Sequence, residues 1–138
     1  MKTLNTYINE KLILSKNKYK RSNYTLFPES KDELRHMILD EIKNNHYNYE
    51  ISLNHIDTSK ITDMSYLFEF DGVSSSMNHF DGDISKWDVS NVENMNYMFS
   101  GSKFTGNISS WNVQHKTTTL DIFYNCPLQN NPPKWYKK

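Results

Sequence analysis

The sequence predicts an α+β fold, a short β-α solenoid of three repeats behind an N-terminal helical and β capping region. Three observations carry it. Asp81-Gly82-Asp83-Ile84-Ser85-Lys86-Trp87-Asp88-Val89-Ser90 returns as Thr105-Gly106-Asn107-Ile108-Ser109-Ser110-Trp111-Asn112-Val113-Gln114, and Trp87, Trp111 and Trp135 stand 24 residues apart. A fixed period in the twenties marks units that cover an apolar face only by stacking on a neighbour. Within a unit, Ile84 to Val89 alternates in the strand manner, whereas Val92, Met95, Met98 and Phe99 share one helical face. Upstream, Ser30-Lys31-Asp32-Glu33 has the capping-box pattern that starts a helix.

In chain order, residues 1–22 read as an amphipathic helix and a basic linker. Leu4, Ile8 and Leu12 lie one turn apart, and Lys16, Lys18, Lys20 and Arg21 follow, with Lys11 just before. The cap, 23–56, is expected as strand, helix and strand: Tyr24 to Phe27 closed by Pro28, then Leu34, Met37, Ile38 and Ile42 on one helical face, then alternating Tyr47, Tyr49, Ile51 and Leu53. The repeats occupy 57–87, 88–111 and 112–135, with a short tail to 138, the whole forming one domain. The first repeat is longer by seven residues, Asp71 to Met77, expected as an outward loop. Ser90-Asn91-Val92-Glu93 is a second capping box, and Gly82 and Gly106 are expected at positive-φ corners. Pro127, Pro132 and Pro133 remove backbone donors from the end of the array.

Gly82-Asp83-Ile84-Ser85-Lys86-Trp87-Asp88-Val89-Ser90-Asn91-Val92-Glu93-Asn94-Met95-Asn96-Tyr97-Met98-Phe99 resembles the repeat of the BspA-like leucine-rich-repeat surface proteins, also labelled domain of unknown function 285. Ile61 to Phe68 matches the helix of that repeat, and the likeness covers about residues 50 to 135. The third unit departs from the pattern at Thr119-Leu120-Asp121-Ile122 and at Pro132-Pro133. The resemblance implies a leucine-rich-repeat fold. Many members are bacterial surface proteins implicated in adhesion, and small leader-less versions resemble products of phages and mobile elements.

Composition narrows the function classes. Lys plus Arg and Asp plus Glu number 16 each, so no global field recruits nucleic acid or an anionic membrane. Leu12-Ile13-Leu14 is flanked by lysines and is too short for a signal-peptide core or a spanning helix, so cytoplasmic action is expected, in the host cell if the gene is phage-borne. The lone Cys126 has no intrachain partner for a disulfide. The five histidines show no metal-type spacing, and four glycines leave no phosphate-cradling loop, so neither catalysis nor a cofactor is expected. His36 and Asp40, one turn apart, suggest a helix-surface pair.

Trp87, Trp111 and Trp135, with Phe68, Phe99 and Phe123, are expected as structural ladders, the alternative for the indoles being an aromatic platform for a sugar or a partner. Tyr66 and Tyr97 are the stronger candidates for exposed partner contact, joined by Lys86, Trp135 and Tyr136. Asp57, Asp88 and Asn112 form one column and Asp83, Asn107 and Asn131 another. These are expected to bond backbone amides at corners, with calcium binding as the alternative. The expectation is a non-enzymatic module that binds another protein, of a bacterium or its phage, with a phage-encoded inhibitor of host defence as one such role. A surface or virion adhesion module binding glycan or host cell is the alternative.

Overall fold

The computed structural model describes residues 3–6, 23–70, 72 and 75–138. Most of the expected N-terminal amphipathic helix and all of the linker 15–22 lie outside these residues, as do Asp71, Val73 and Ser74 of the insertion. Residues 4–6 are helical, and beyond residue 22 three helical elements are described: α1 (Lys31–Asn44), α2 (Ser75–Asn78) and a 3-10 turn (Pro127–Gln129).

Helix α1 begins where the capping pattern places it. Ser30 is extended, and its hydroxyl accepts the Glu33 amide at 3.2 Å. Glu33 reaches back one residue further than expected, accepting from the Glu29 amide at 2.8 Å. Asp32 and Glu33 in the first turn and Lys43 in the last complement the helix dipole. At the other end the Asn45 amide and side chain both donate to the Glu41 carbonyl, and His46 and Tyr47 turn left-handed with φ of 55° and 58°. Leu34, Ile38 and Ile42 form its fully buried face. Polar ties fasten the helix to the first unit and to the segment leading into it: Lys31 Nζ reaches Asp63 Oδ2 (3.3 Å) and Ser65 Oγ (3.1 Å), and Glu41 Oε2 meets His55 Nε2 at 2.9 Å.

Beyond α1 the expected fold is overturned. Among the described residues there is no sheet, only isolated parallel bridges at Leu26–Ile56, Ser52–Asp83, Asp63–Asn94 and Asn94–Thr118, and no helix forms in the methionine-phenylalanine segments. This does not fit an α+β leucine-rich-repeat solenoid of strand-helix repeats. The expected strands at 24–27 and 47–53 reduce to one bridge each. The reason lies in where the amides donate. Met95, Tyr97, Phe99 and Gly101 give their N–H groups to the Thr118, Leu120, Ile122 and Tyr124 carbonyls of the next unit. In a helix those amides would serve carbonyls four residues back. Tyr97, at φ 58°, also has a backbone no helix admits.

The second capping box fails for the same reason. Ser90 is held by Asp88, whose Oδ1 accepts both its amide (3.0 Å) and its hydroxyl (2.6 Å), and a turn follows in place of a helix. Nor is the insertion simply an outward loop, because Met77 at its end sits in α2 fully buried. Gly82 and Gly106 are not at positive-φ corners; the glycines with positive φ are Gly72 and Gly101. Gly82 answers a close approach instead, since a Cβ there would stand 1.9 Å from the Ile51 carbonyl oxygen.

The turn-built units nevertheless lie in register. Phe68, Phe99 and Phe123 stack with centroids 5.5 and 5.9 Å apart, and Trp87, Trp111 and Trp135 with centroids 6.5 and 6.2 Å apart. Phe80 and Phe104 add a shorter column at 6.2 Å. Each indole N–H donates to a carbonyl of the preceding unit: Trp87 to Leu53 (2.9 Å), Trp111 to Ile84 (3.0 Å) and Trp135 to Ile108 (2.8 Å). A buried indole must place its donor, and the register supplies the same acceptor each time.

Candidate functional site

The in-register amides bring segments 64–70, 95–101 and 118–125 side by side on one face. Tyr66 N–H donates to Asn96 O (3.1 Å), Tyr97 N–H to Leu120 O (2.9 Å), Phe70 N–H to Ser100 O (3.0 Å) and Gly101 N–H to Tyr124 O (2.8 Å). Large apolar side chains stand out from these segments: Tyr66 is 47%, Phe70 54%, Leu120 58% and Tyr124 60% exposed. Isolated exposed apolar residues are ordinary, but adjacent ones on neighbouring segments form a patch of the kind that marks an interaction site.

The centre of the patch is the Tyr66–Tyr97 pair, with ring centroids 5.1 Å apart and planes 10° apart. Both residues occupy left-handed backbone, φ 60° and 58°, as does Asp121 (φ 48°) at the equivalent position of the third unit. Such a backbone is unusual for tyrosine and is held here by the amide bonds to the next unit. Desolvation, the Asp121 charge, the neighbouring Tyr66, a hydrogen bond with Asp121 and the Glu69 charge together raise the Tyr97 phenol above its ordinary pKa of 10.0. Gly101, at φ 68°, makes room for Phe70, whose Cβ would lie 3.0 Å from a Cβ at that position. The sequence pointed to the two tyrosines but not to Phe70, Leu120, Asp121 and Tyr124. The signal for Asp121 was its place 24 residues after Tyr97.

The other candidate residues fall elsewhere. Lys86 is exposed on the tryptophan-bearing segment, where its amide donates to Asn54 Oδ1 (2.9 Å) and its charge helps to depress the Asp83 pKa. Trp135 and Tyr136 are half-buried, and both meet Phe123, Tyr136 edge-on at 5.3 Å. Trp87 and Trp111 are each only 4% exposed, which removes them as a platform.

In the acidic columns, Asp57, Asp83, Asp88 and Asn107 each accept the amide two residues on through Oδ1, at 2.9 to 3.0 Å. These are Asx turns, the corner role expected of them. Asp63 and Asn94 do the same at 2.8 and 2.9 Å. Among the described residues no group of three or more His, Cys, Asp and Glu is placed to hold a metal ion. His36 Nδ1 lies 2.7 Å from the Asp32 carbonyl, whereas a pair with Asp40 was expected. Cys126 is buried, its sulfur 3.6 Å from both Ser102 Oγ and the Phe104 carbonyl, and burial pushes its thiol pKa up. No helix among the described residues is long and apolar enough to cross a membrane.

A family model described as Mycoplasma protein of unknown function, DUF285, matches residues 34–137. The chain belongs to the DUF285 family. The match begins within α1 and takes in every unit, so the tyrosine face and all three ring columns lie inside the DUF285 region. Comparison with curated proteins and with solved structures finds no match.

Proposed function

We propose that this DUF285 protein is a non-enzymatic module that binds another protein through the face carrying Tyr66, Phe70, Tyr97, Leu120 and Tyr124. The observation that carries this reading is the stacked, partly exposed tyrosine pair set among exposed apolar side chains. Aromatic residues contribute large contact area at little conformational cost and dominate binding hot spots. Backbone bonds fix the segments beneath them, so the face is formed before a partner arrives, which lowers the entropy lost on association. The likeness of the repeat to that of BspA-like surface proteins supports a binding role over a chemical one.

The test is cross-linked capture from a native host with the wild type, the Tyr66→Ala/Tyr97→Ala double variant and Lys86→Ala. The expected result is a partner captured by the wild type and by Lys86→Ala but lost by the double variant, with unfolding midpoints showing all three folded. Equal capture by a folded double variant would overturn the assignment.

A further inference from the structure

The tyrosine column stops one unit short. Tyr66 and Tyr97 stack, and the repeat places Asp121 where a third ring would stand. Among the described residues Tyr97 meets no ring beyond that of Tyr66, its amide donates to the Leu120 carbonyl at 2.9 Å, one residue before Asp121, and the exposed Asp121 carboxylate is near enough to help raise the Tyr97 pKa. Leu120 and Tyr124, both exposed, flank the position. The segments 61–70, 92–102 and 117–126 contain Asp63, Glu69, Glu93 and Asp121 and not one lysine or arginine, in a chain whose charges balance overall. Asp63 is already engaged by Lys31.

We infer that an arginine side chain of the bound protein takes the third place in this column, its guanidinium stacked on the Tyr97 ring and paired with the Asp121 carboxylate. This rests on the protein-binding reading of the face. Arginine fits because its cation is planar: it stacks on an aromatic face and offers a fork of donors to a carboxylate at once. Lysine, a compact and strongly hydrated point charge, can satisfy the carboxylate but cannot lie flat on the ring, and its attraction to the ring face competes with its hydration. The neighbouring apolar side chains exclude water from the pair, which strengthens it over a fully exposed contact.

The experiment titrates the tripeptides acetyl-Ala-Arg-Ala-amide and acetyl-Ala-Lys-Ala-amide into isotope-labelled protein and follows resonances of Tyr97, Leu120, Asp121 and Tyr124. The arginine peptide is expected to give saturable shifts confined to these residues and to bind roughly threefold or more tightly than the lysine peptide. Asp121→Asn should abolish that preference, and Tyr97→Phe, which keeps the ring, should retain it. No saturable shift, equal response to the two peptides, or an unaltered preference in folded Asp121→Asn would each overturn the inference. The protein captured from the host separates the two levels of claim. If Tyr66→Ala/Tyr97→Ala loses it and Asp121→Asn binds as wild type, the arginine assignment fails and the binding face stands. If neither substitution matters, both fail.

Discussion

The indole N–H of Trp111 donates to the Ile84 carbonyl at 3.0 Å while its ring lies parallel to that of Trp87, planes 6° apart. The same carbonyl accepts the Trp87 amide at 3.1 Å, closing the turn of its own unit. Leu53 and Ile108 are used in the same double way, by Ile56 and Trp87 and by Trp111 and Trp135. One carbonyl per unit thus serves both the local turn and the neighbour's side chain.

Because the Ile84 carbonyl keeps its amide partner, Trp111→Phe should cost only the net value of one hydrogen bond and some packing, about 0.5–1.5 kcal/mol. Trp111→Ala also empties a buried site between Trp87, Phe99 and Trp135 and should cost about 3–5 kcal/mol. Urea unfolding of the two variants measures the difference. Equal losses would mean that the ring contacts add nothing beyond the bond.

Gly82 and Gly72 should respond to alanine for different reasons. A Cβ at Gly82 would meet the Ile51 carbonyl oxygen at 1.9 Å and Phe80 Cε2 at 2.7 Å, and backbone cannot swing away as a side chain can. Gly72 has nothing within 4 Å but sits at φ 77°. Gly82→Ala should therefore cost about 3 kcal/mol, the upper end for overpacking, and Gly72→Ala about 1 kcal/mol for left-handed strain. Chemical denaturation gives the order, and a milder effect at Gly82 would show that the 49–53 segment can retreat.

The ring columns were legible because each aromatic meets its own counterpart, and an interval of 24 residues survives whatever the backbone does between. Ser30 was legible because its cap is local. The strand-helix units were not, since turns imitate the helical signature. Met98 N–H to Met95 O and Ser102 N–H to Phe99 O are three-residue closures that put residues i and i+3 on one side, as a helix does. The left-handed backbone that distinguishes the two falls on Tyr97 and Asp121, where no glycine announces it. The patch around Tyr97 was hidden likewise, because Phe70, Leu120 and Tyr124 become neighbours only through amide bonds between units.

Cys126 should be nearly inert in the folded protein. It is 5% exposed, and burial raises its thiol above the ordinary 9.0, disfavouring the thiolate that reacts. A disulfide reagent at pH 8 should modify it slowly in buffer and rapidly in urea, at a rate that tracks unfolding. Fast modification of the native protein would show the 104–126 contact opening locally.

Acid should loosen the junction between α1 and the first unit. Burial works to raise the Asp63 pKa, but the Ser65 hydroxyl and amide and the Lys31 ammonium outweigh it, and the net value lies below the ordinary 3.8. Asp83 is lowered too, first by the Ser85 hydroxyl and then by its amide. A carboxyl with a depressed folded pKa contributes stability that is fully present above its unfolded value and is lost as pH falls through the folded one. The urea midpoint should thus hold steady above about pH 5 and decline below it. Asparagine already serves the Asp63 turn in the next unit, where Asn94 accepts the Asn96 amide at 2.9 Å, so Asp63→Asn should keep the turn and lose only the charge. The variant is expected to start below wild type at pH 7 and to converge on it as pH falls through the folded Asp63 pKa, which lies below 3.8. Parallel pH profiles would place the acid sensitivity at carboxylates other than Asp63.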